Sequence, residues 1–220
     1  MTPPETPPSA RPTALAYAGV LFAVVVWGAS FVATKHAVAE VSPATVIFLR
    51  FGIGAVVLGA ATAWRGQIAF LRARDVGLFA ILGFLGIALH QWLQATGLLT
   101  AQATTGAWIV TATPIWTAML GRWWLGERLG WGRVAGIAVA AVGVLLVLAR
   151  GNVHQLAAGG FFTTGDLLML LSSPNWAIVT VLTRRALGRH PAARLTFWVM
   201  TLGWLMTALW LFTAGPGLAE

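Results

Sequence analysis

The chain has 220 residues, of which 58% are hydrophobic and only 9% charged, with a formal charge of +8 and a mean hydropathy of +0.81. A soluble globular domain is about a quarter charged, so this composition excludes a fold that covers its whole surface with polar groups. With no cysteine, disulfides and thiolate metal sites are excluded as well.

Met1 to Pro12 hold five prolines, which predicts a disordered cytoplasmic tail over residues 1–13. Apolar runs follow at 14–34, 43–64, 76–97, 104–124, 131–149, 165–183 and 193–214. Each is about 20 residues long, enough at about 1.5 Å per residue to cross a hydrocarbon core of about 30 Å. No run shows the short polar alternation of a transmembrane strand. Ala37-Val38-Ala39 resembles a signal cleavage site, but the run before it is about twice a signal core, so it is read as a retained helix. The expected fold is an all-α integral membrane protein of seven transmembrane helices, with an external loop over 150–164.

Orientation is read from the basic residues. With the N-terminus inside, Arg11, Arg65, Arg72, Arg74, Arg122, Arg128, Arg133, Arg184, Arg185, Arg189 and Arg194 lie at cytoplasmic ends, and only Lys35 and Arg150 fall outside. That bias predicts an N-in, C-out chain. It also accounts for the net charge through loops facing anionic lipid, so a nucleic-acid partner is not expected and the lipid bilayer is.

Trp27, Lys35, His36 and Pro43 recur loosely as Trp176, Arg184, Arg185 and Pro191. The copies begin the first and sixth apolar runs, so the second lies upside down relative to the first, as in inverted-repeat transporters. In lipid, prolines and polar clusters at mid-depth are tolerated where helices pack or line a cavity. Three breaks are expected there: Trp27-Gly28-Ala29-Ser30, Thr111-Ala112-Thr113-Pro114 and Ser172-Ser173-Pro174-Asn175-Trp176. Each is a packing kink or a place where freed carbonyls meet a substrate.

His90, Gln91, Gln94 and Thr96 form the most polar mid-membrane cluster, with His90 and Gln94 on one helical face. They serve either as interhelical glue or as cavity lining. His90 is the candidate for any proton step. Arg50 lies inside a span and either anchors structure or pairs with an anion. No acidic residue falls in the middle of a run, which argues against coupling through a membrane carboxylate.

Gly132, Gly136 and Ala140 form a small-residue stripe, an internal seam or a homodimer face. Trp64, Trp123, Trp124 and Trp131 fit an interfacial belt. Trp27, Trp108, Trp116 and Trp176 lie deeper, where indoles either face lipid or stack on a substrate.

The chain resembles the drug/metabolite transporter superfamily, EamA-domain type. The resemblance rests on Trp27-Gly28-Ala29-Ser30-Phe31, Ser42-Pro43, Arg50-Phe51, Ala95-x-Gly97-Leu98, Thr113-Pro114, Leu125-Gly126-Glu127-Arg128-Leu129, Gly136 and Gly143-Val144. It covers a first five-helix repeat over 14–149, and residues 165–220 look like a partial, inverted second repeat. It implies a ten-helix carrier of the bacterial inner membrane, working by alternating access and exporting amino acids, drugs or other small metabolites. The sequence departs from that pattern by stopping after seven helices. The expectation is therefore either a fragment of a longer carrier or a complete but degenerate reading frame, whose product forms oligomers or lacks transport.

A seven-helix receptor or retinal protein would place its N-terminus outside. An intramembrane hydrolase would carry a Gly-x-Ser-x-Gly elbow, a mid-membrane aspartate pair or a His-Glu-x-x-His helix, and none is present. No enzymatic activity, cofactor or metal is expected. The expected function is a small-molecule exporter, and the alternative is an inactive or assembly-type membrane protein. The expected site residues are Trp27, Ser30, His90, Gln94, Thr111, Pro114, Asn175 and Trp176, between the first, third, fourth and sixth helices. The tryptophans would stack, Ser30, Gln94, Thr111 and Asn175 would hydrogen-bond, His90 would titrate and Pro114 would act as a hinge.

Overall fold

The structure is a computed structural model that describes residues 14–67, 70–124, 126, 130–149 and 163–214. The expected tail, most of the external loop, Arg11, Arg150 and all of the Leu125–Leu129 motif except Gly126 lie outside the described residues. The described residues form helices joined by short turns: α1 (Ala14–Glu40), α2 (Pro43–Trp64), α3 (Ala73–Gly83), a π segment (Phe84–Leu89), α4 (His90–Thr100), α5 (Ala103–Val110), α6 (Thr113–Trp124), α7 (Trp131–Leu148), α8 (Thr164–Leu187) and α9 (Ala192–Ala214).

Five spans are long and apolar enough to cross a membrane: α1, α2, the continuous Ala73–Thr100 unit, α8 and α9. The chain is therefore a multi-pass membrane protein. The fourth expected span is divided into α5 and α6, and α7 is a shorter apolar helix. Helix starts follow local chemistry. Pro43 occupies the first turn of α2 behind Ser42, whose hydroxyl accepts from the Thr45 amide at 3.2 Å. At α8, Thr163 and Asp166 form a reciprocal capping box.

Only one of the three expected breaks interrupts a helix. Pro114 has no amide to give the Val110 carbonyl, and that carbonyl instead accepts the Thr113 hydroxyl at 2.7 Å. α5 ends there, and α6 restarts at Thr113. α1 runs unbroken through Trp27-Gly28-Ala29-Ser30, and α8 runs unbroken through Pro174. Hydroxyls support α8 at that point: Ser172 donates to Met169 O at 2.7 Å, and Ser173 reaches across to Ile109 O at 3.1 Å. The discontinuity not expected from the sequence is the π segment. Its Leu85 carbonyl accepts both the His90 amide and Asn175 Nδ2, the latter at 2.8 Å.

α8 is the central helix, packing on α4, α5 and α6, while α9 packs on α2, α3 and the π segment. Phe31, Phe51, Leu98, Ile109 and Met169 form one core cluster, and Phe79, Leu82, Val179 and Leu195 a second. Close helix approach uses glycines other than the expected stripe. Gly165 faces the Gly97 carbonyl and Gly203 faces the Gly83 carbonyl, whereas a Cβ at Gly132 or Gly136 would meet nothing within 4 Å. The α7 stripe is thus not an internal seam among the described residues. Nearly all of α1 faces outward, as does much of α2. Trp64, Trp123, Trp124 and Trp131 are all exposed at helix ends, as an interfacial belt requires.

Candidate functional site

A cavity of about 670 Å³ opens beside the α5–α6 break. α1 contributes Trp27, the break contributes Thr111, Thr113 and Pro114, and α6 adds Thr117, Ala118 and Gly121. α8 supplies Trp176, Thr180, Val181 and Arg184, and α7 supplies Arg133. The lining is mostly apolar, with hydroxyls and two arginines added, and includes no carboxylate. Such a surface suits a small molecule with an apolar or flat body and a few polar groups.

Four of the eight expected residues, Trp27, Thr111, Pro114 and Trp176, share this cavity. Thr111 uses its hydroxyl proton on the Trp108 carbonyl at 2.6 Å, which leaves the oxygen lone pairs for a donor. Ser30 and Gln94 sit instead in a narrow crevice with Thr34, Arg50 and Gln91. Ser30 donates to the Trp27 carbonyl at 2.6 Å. Arg50 reaches Thr34 Oγ1 at 3.5 Å and lies over the Phe51 ring, 5.5 Å from its centroid.

His90 is buried and does not line the cavity. Its ring backs the Trp176 indole, with centroids 4.6 Å apart. Asn175 is turned to the π segment, where its amide is committed to the Leu85 carbonyl. Among the described residues, His90 Nδ1, Gln94 Nε2 and Thr96 Oγ1 are buried without a hydrogen-bond partner. Burying such groups unpaired is costly, so the α4 cluster holds polar capacity that the protein itself does not use. Trp108 and Trp116 do not line the cavity.

Thr113, Thr117, Thr180, Arg133 and Arg184 are lining residues not expected from the sequence. A signal for some of them was available: Trp176, Thr180 and Arg184 recur every four residues, and so share one helical face with a tryptophan already singled out.

The profile of the EamA-like transporter family matches residues 14–149. The chain belongs to the EamA-like transporter family. It is 29% identical over 177 residues to the uncharacterized transporter YyaM of Bacillus subtilis, covering 80% of this chain and 58% of that protein. An uncharacterized transporter of Archaeoglobus fulgidus is 24% identical over 180 residues, covering 82% of this chain and 61% of that protein. A Streptantibioticus cattleyicolor protein named a probable terminal-alkyne amino-acid exporter is 24% identical over 184 residues, covering 84% and 60%. The chain thus spans about three-fifths of the length of these relatives. No solved structure matches it. The EamA match includes every lining residue of the cavity except those on α8.

Proposed function

We propose that the chain forms part of an inner-membrane carrier that exports a small organic metabolite by alternating access. The observation that carries this reading is the cavity between α1, α5–α6, α7 and α8, built beside a proline break in a chain of a transporter family. Trp27 and Trp176 would hold the apolar body of the substrate, and the threonines would bond its polar groups. The α5–α6 break would act as the hinge between the two access states. The Trp27/Trp176 correspondence supports an inverted-repeat origin, and the bias of arginines to one side supports an N-in orientation. The same site is read as non-enzymatic.

Because the relatives are longer, the transporting unit would include more wall than these helices provide. Further segments or a second copy of the chain would supply it, and the open small-residue stripe of α7 is a face on which a second copy could dock. The name of the Streptantibioticus relative makes amino acids the first class to test. Proteoliposomes containing the chain would be loaded with labelled neutral and aromatic amino acids, and efflux followed with and without external substrate. Exchange above that of empty vesicles, reduced by Trp27→Ala and Trp176→Ala, is expected. Efflux equal to that of empty vesicles across the panel would refute transport of this substrate class by the chain alone. A second reading, a non-transporting assembly protein, would gain from that outcome.

A further inference from the structure

Away from the transport cavity, the start of α3 and the α8–α9 turn enclose a polar pocket of about 500 Å³ lined by Arg72, Arg74, Asp75, Arg189, His190 and Arg194. Four guanidiniums thus share a pocket with one carboxylate. Asp75 Oδ1 lies 3.9 Å from Arg74 Nε and 3.6 Å from His190 Nε2, and the His190 ring meets the edge of Phe79 at a centroid distance of 5.0 Å. Arg194 is fixed by its Nη2 bond to the Phe70 carbonyl at 2.5 Å, yet its Nε is buried with no partner among the described residues. Arg72 and Arg189 form no ion pair among the described residues. α3 also starts without a side-chain cap on its first amides.

Guanidiniums that line one pocket repel one another unless an anion with several acceptor oxygens sits among them, and phosphate is the group whose geometry matches their forked donors. One carboxylate, whose Oδ1 stands near Arg74 and His190 and whose Oδ2 is buried with no partner among the described residues, cannot neutralise four arginines. The pocket lies at helix ends rather than at mid-depth. Beside it Phe70 is 92% exposed, the placement of an aromatic residue at a headgroup boundary. Basic pockets between helix ends are a recurrent means of holding lipid phosphates.

We propose that this pocket binds a phosphate group, and that its source is the headgroup of an anionic phospholipid. The site is separate from the transport cavity and does not depend on the transport reading. Arg72 and Arg189 would make the contacts that discriminate, because both are exposed, while Arg194 and Asp75 set the floor.

The test is binding of phosphatidylglycerol to the purified chain in neutral detergent, followed by native mass spectrometry and by the thermal midpoint. Phosphatidylcholine and inorganic phosphate would be the comparison probes. Each basic residue near a membrane surface contributes a roughly fivefold effect, so Arg72→Gln combined with Arg189→Gln is expected to weaken phosphatidylglycerol binding by about thirtyfold. Arg65→Gln, at the end of α2 and outside the pocket, is expected to leave it unchanged. If the glutamine pair does not fold, Arg72→Lys with Arg189→Lys keeps the charge but loses the fork, and is expected to show a smaller loss. Competition by millimolar inorganic phosphate would support the phosphate site. Stabilisation by inorganic phosphate alone, with none by phosphatidylglycerol, would overturn the lipid source while keeping the phosphate chemistry. Equal phosphatidylglycerol binding by wild type and both pocket variants, or an equal loss in Arg65→Gln, would overturn the proposal.

Discussion

The imidazole of His90 lies against the indole of Trp176, ring centroids 4.6 Å apart and planes inclined by 31°. Only the indole reaches the cavity; His90 is 4% exposed behind it. A buried polar ring in this place supports the wall and can act on a substrate only through that wall. His90→Ala removes the support and leaves a void, at an expected cost of about 2–3 kcal/mol. His90→Phe keeps a ring of similar size without a titratable nitrogen, and is expected to restore most of the thermal midpoint. If exchange activity returns with it, His90 is a positioning residue. If stability returns and exchange does not, the proton-step role stands.

Asn175 ties α8 to the π segment through the Leu85 carbonyl. A π segment keeps its shape only while its irregular carbonyls are satisfied. Asn175→Leu is close in size but cannot donate, and is expected to destabilise the chain by about 1–2 kcal/mol. Hydrogen exchange should quicken at the His90 amide, which shares that carbonyl. Unchanged exchange at residues 84–90 would show that the π segment is held by packing alone.

Where local chemistry decided the structure, the sequence was a good guide. Ser42-Pro43 marked the start of α2, and Pro114 marked the division of the fourth span, because a cap and a missing amide act on their own neighbours. Where a partner distant in sequence decided it, the sequence was a poor guide. Pro174 looked like an equivalent break, yet the serines before it bond Met169 and Ile109, and α8 continues. The π segment carries no periodic signature because its register depends on Asn175 and on the approach of Gly83 to Gly203. The expected site divided for the same reason: residues on one helical face stay together, but which helices meet is a tertiary outcome. Trp176 and Trp27 reached one cavity, while Ser30 and Gln94 fell into the Arg50 crevice.

The glycine contacts predict a sharp contrast. A methyl group at Gly165 would collide with the Gly97 carbonyl and come within 2.6 Å of the Ala101 nitrogen, and one at Gly203 would lie 2.6 Å from the Gly83 carbonyl. These neighbours are backbone atoms and cannot turn aside. Gly165→Ala and Gly203→Ala are each expected to cost about 3 kcal/mol or more, read as a lower thermal midpoint in detergent. Gly136→Ala, whose added methyl meets nothing within 4 Å, is expected to leave the midpoint unchanged. A loss there instead, dependent on protein concentration, would place a second copy of the chain on the α7 stripe.

Lys35 ties α1 to the end of α4. Its Nζ donates to the Leu98 carbonyl at 2.5 Å and the Leu99 carbonyl at 3.3 Å, groups left without amide partners where α4 stops. A cation at a helix C-terminus also meets the negative end of the helix dipole. Lys35→Met keeps the stem and removes the charge, so its expected cost of about 1 kcal/mol isolates the bond from the packing. Lys35→Arg should recover part of that cost, since it restores a donor at a different reach. The check is the thermal midpoint of the three proteins at low and high salt. A midpoint unaffected by Lys35→Met would mean that water serves those carbonyls equally well, and that Lys35 does not hold α1 against α4.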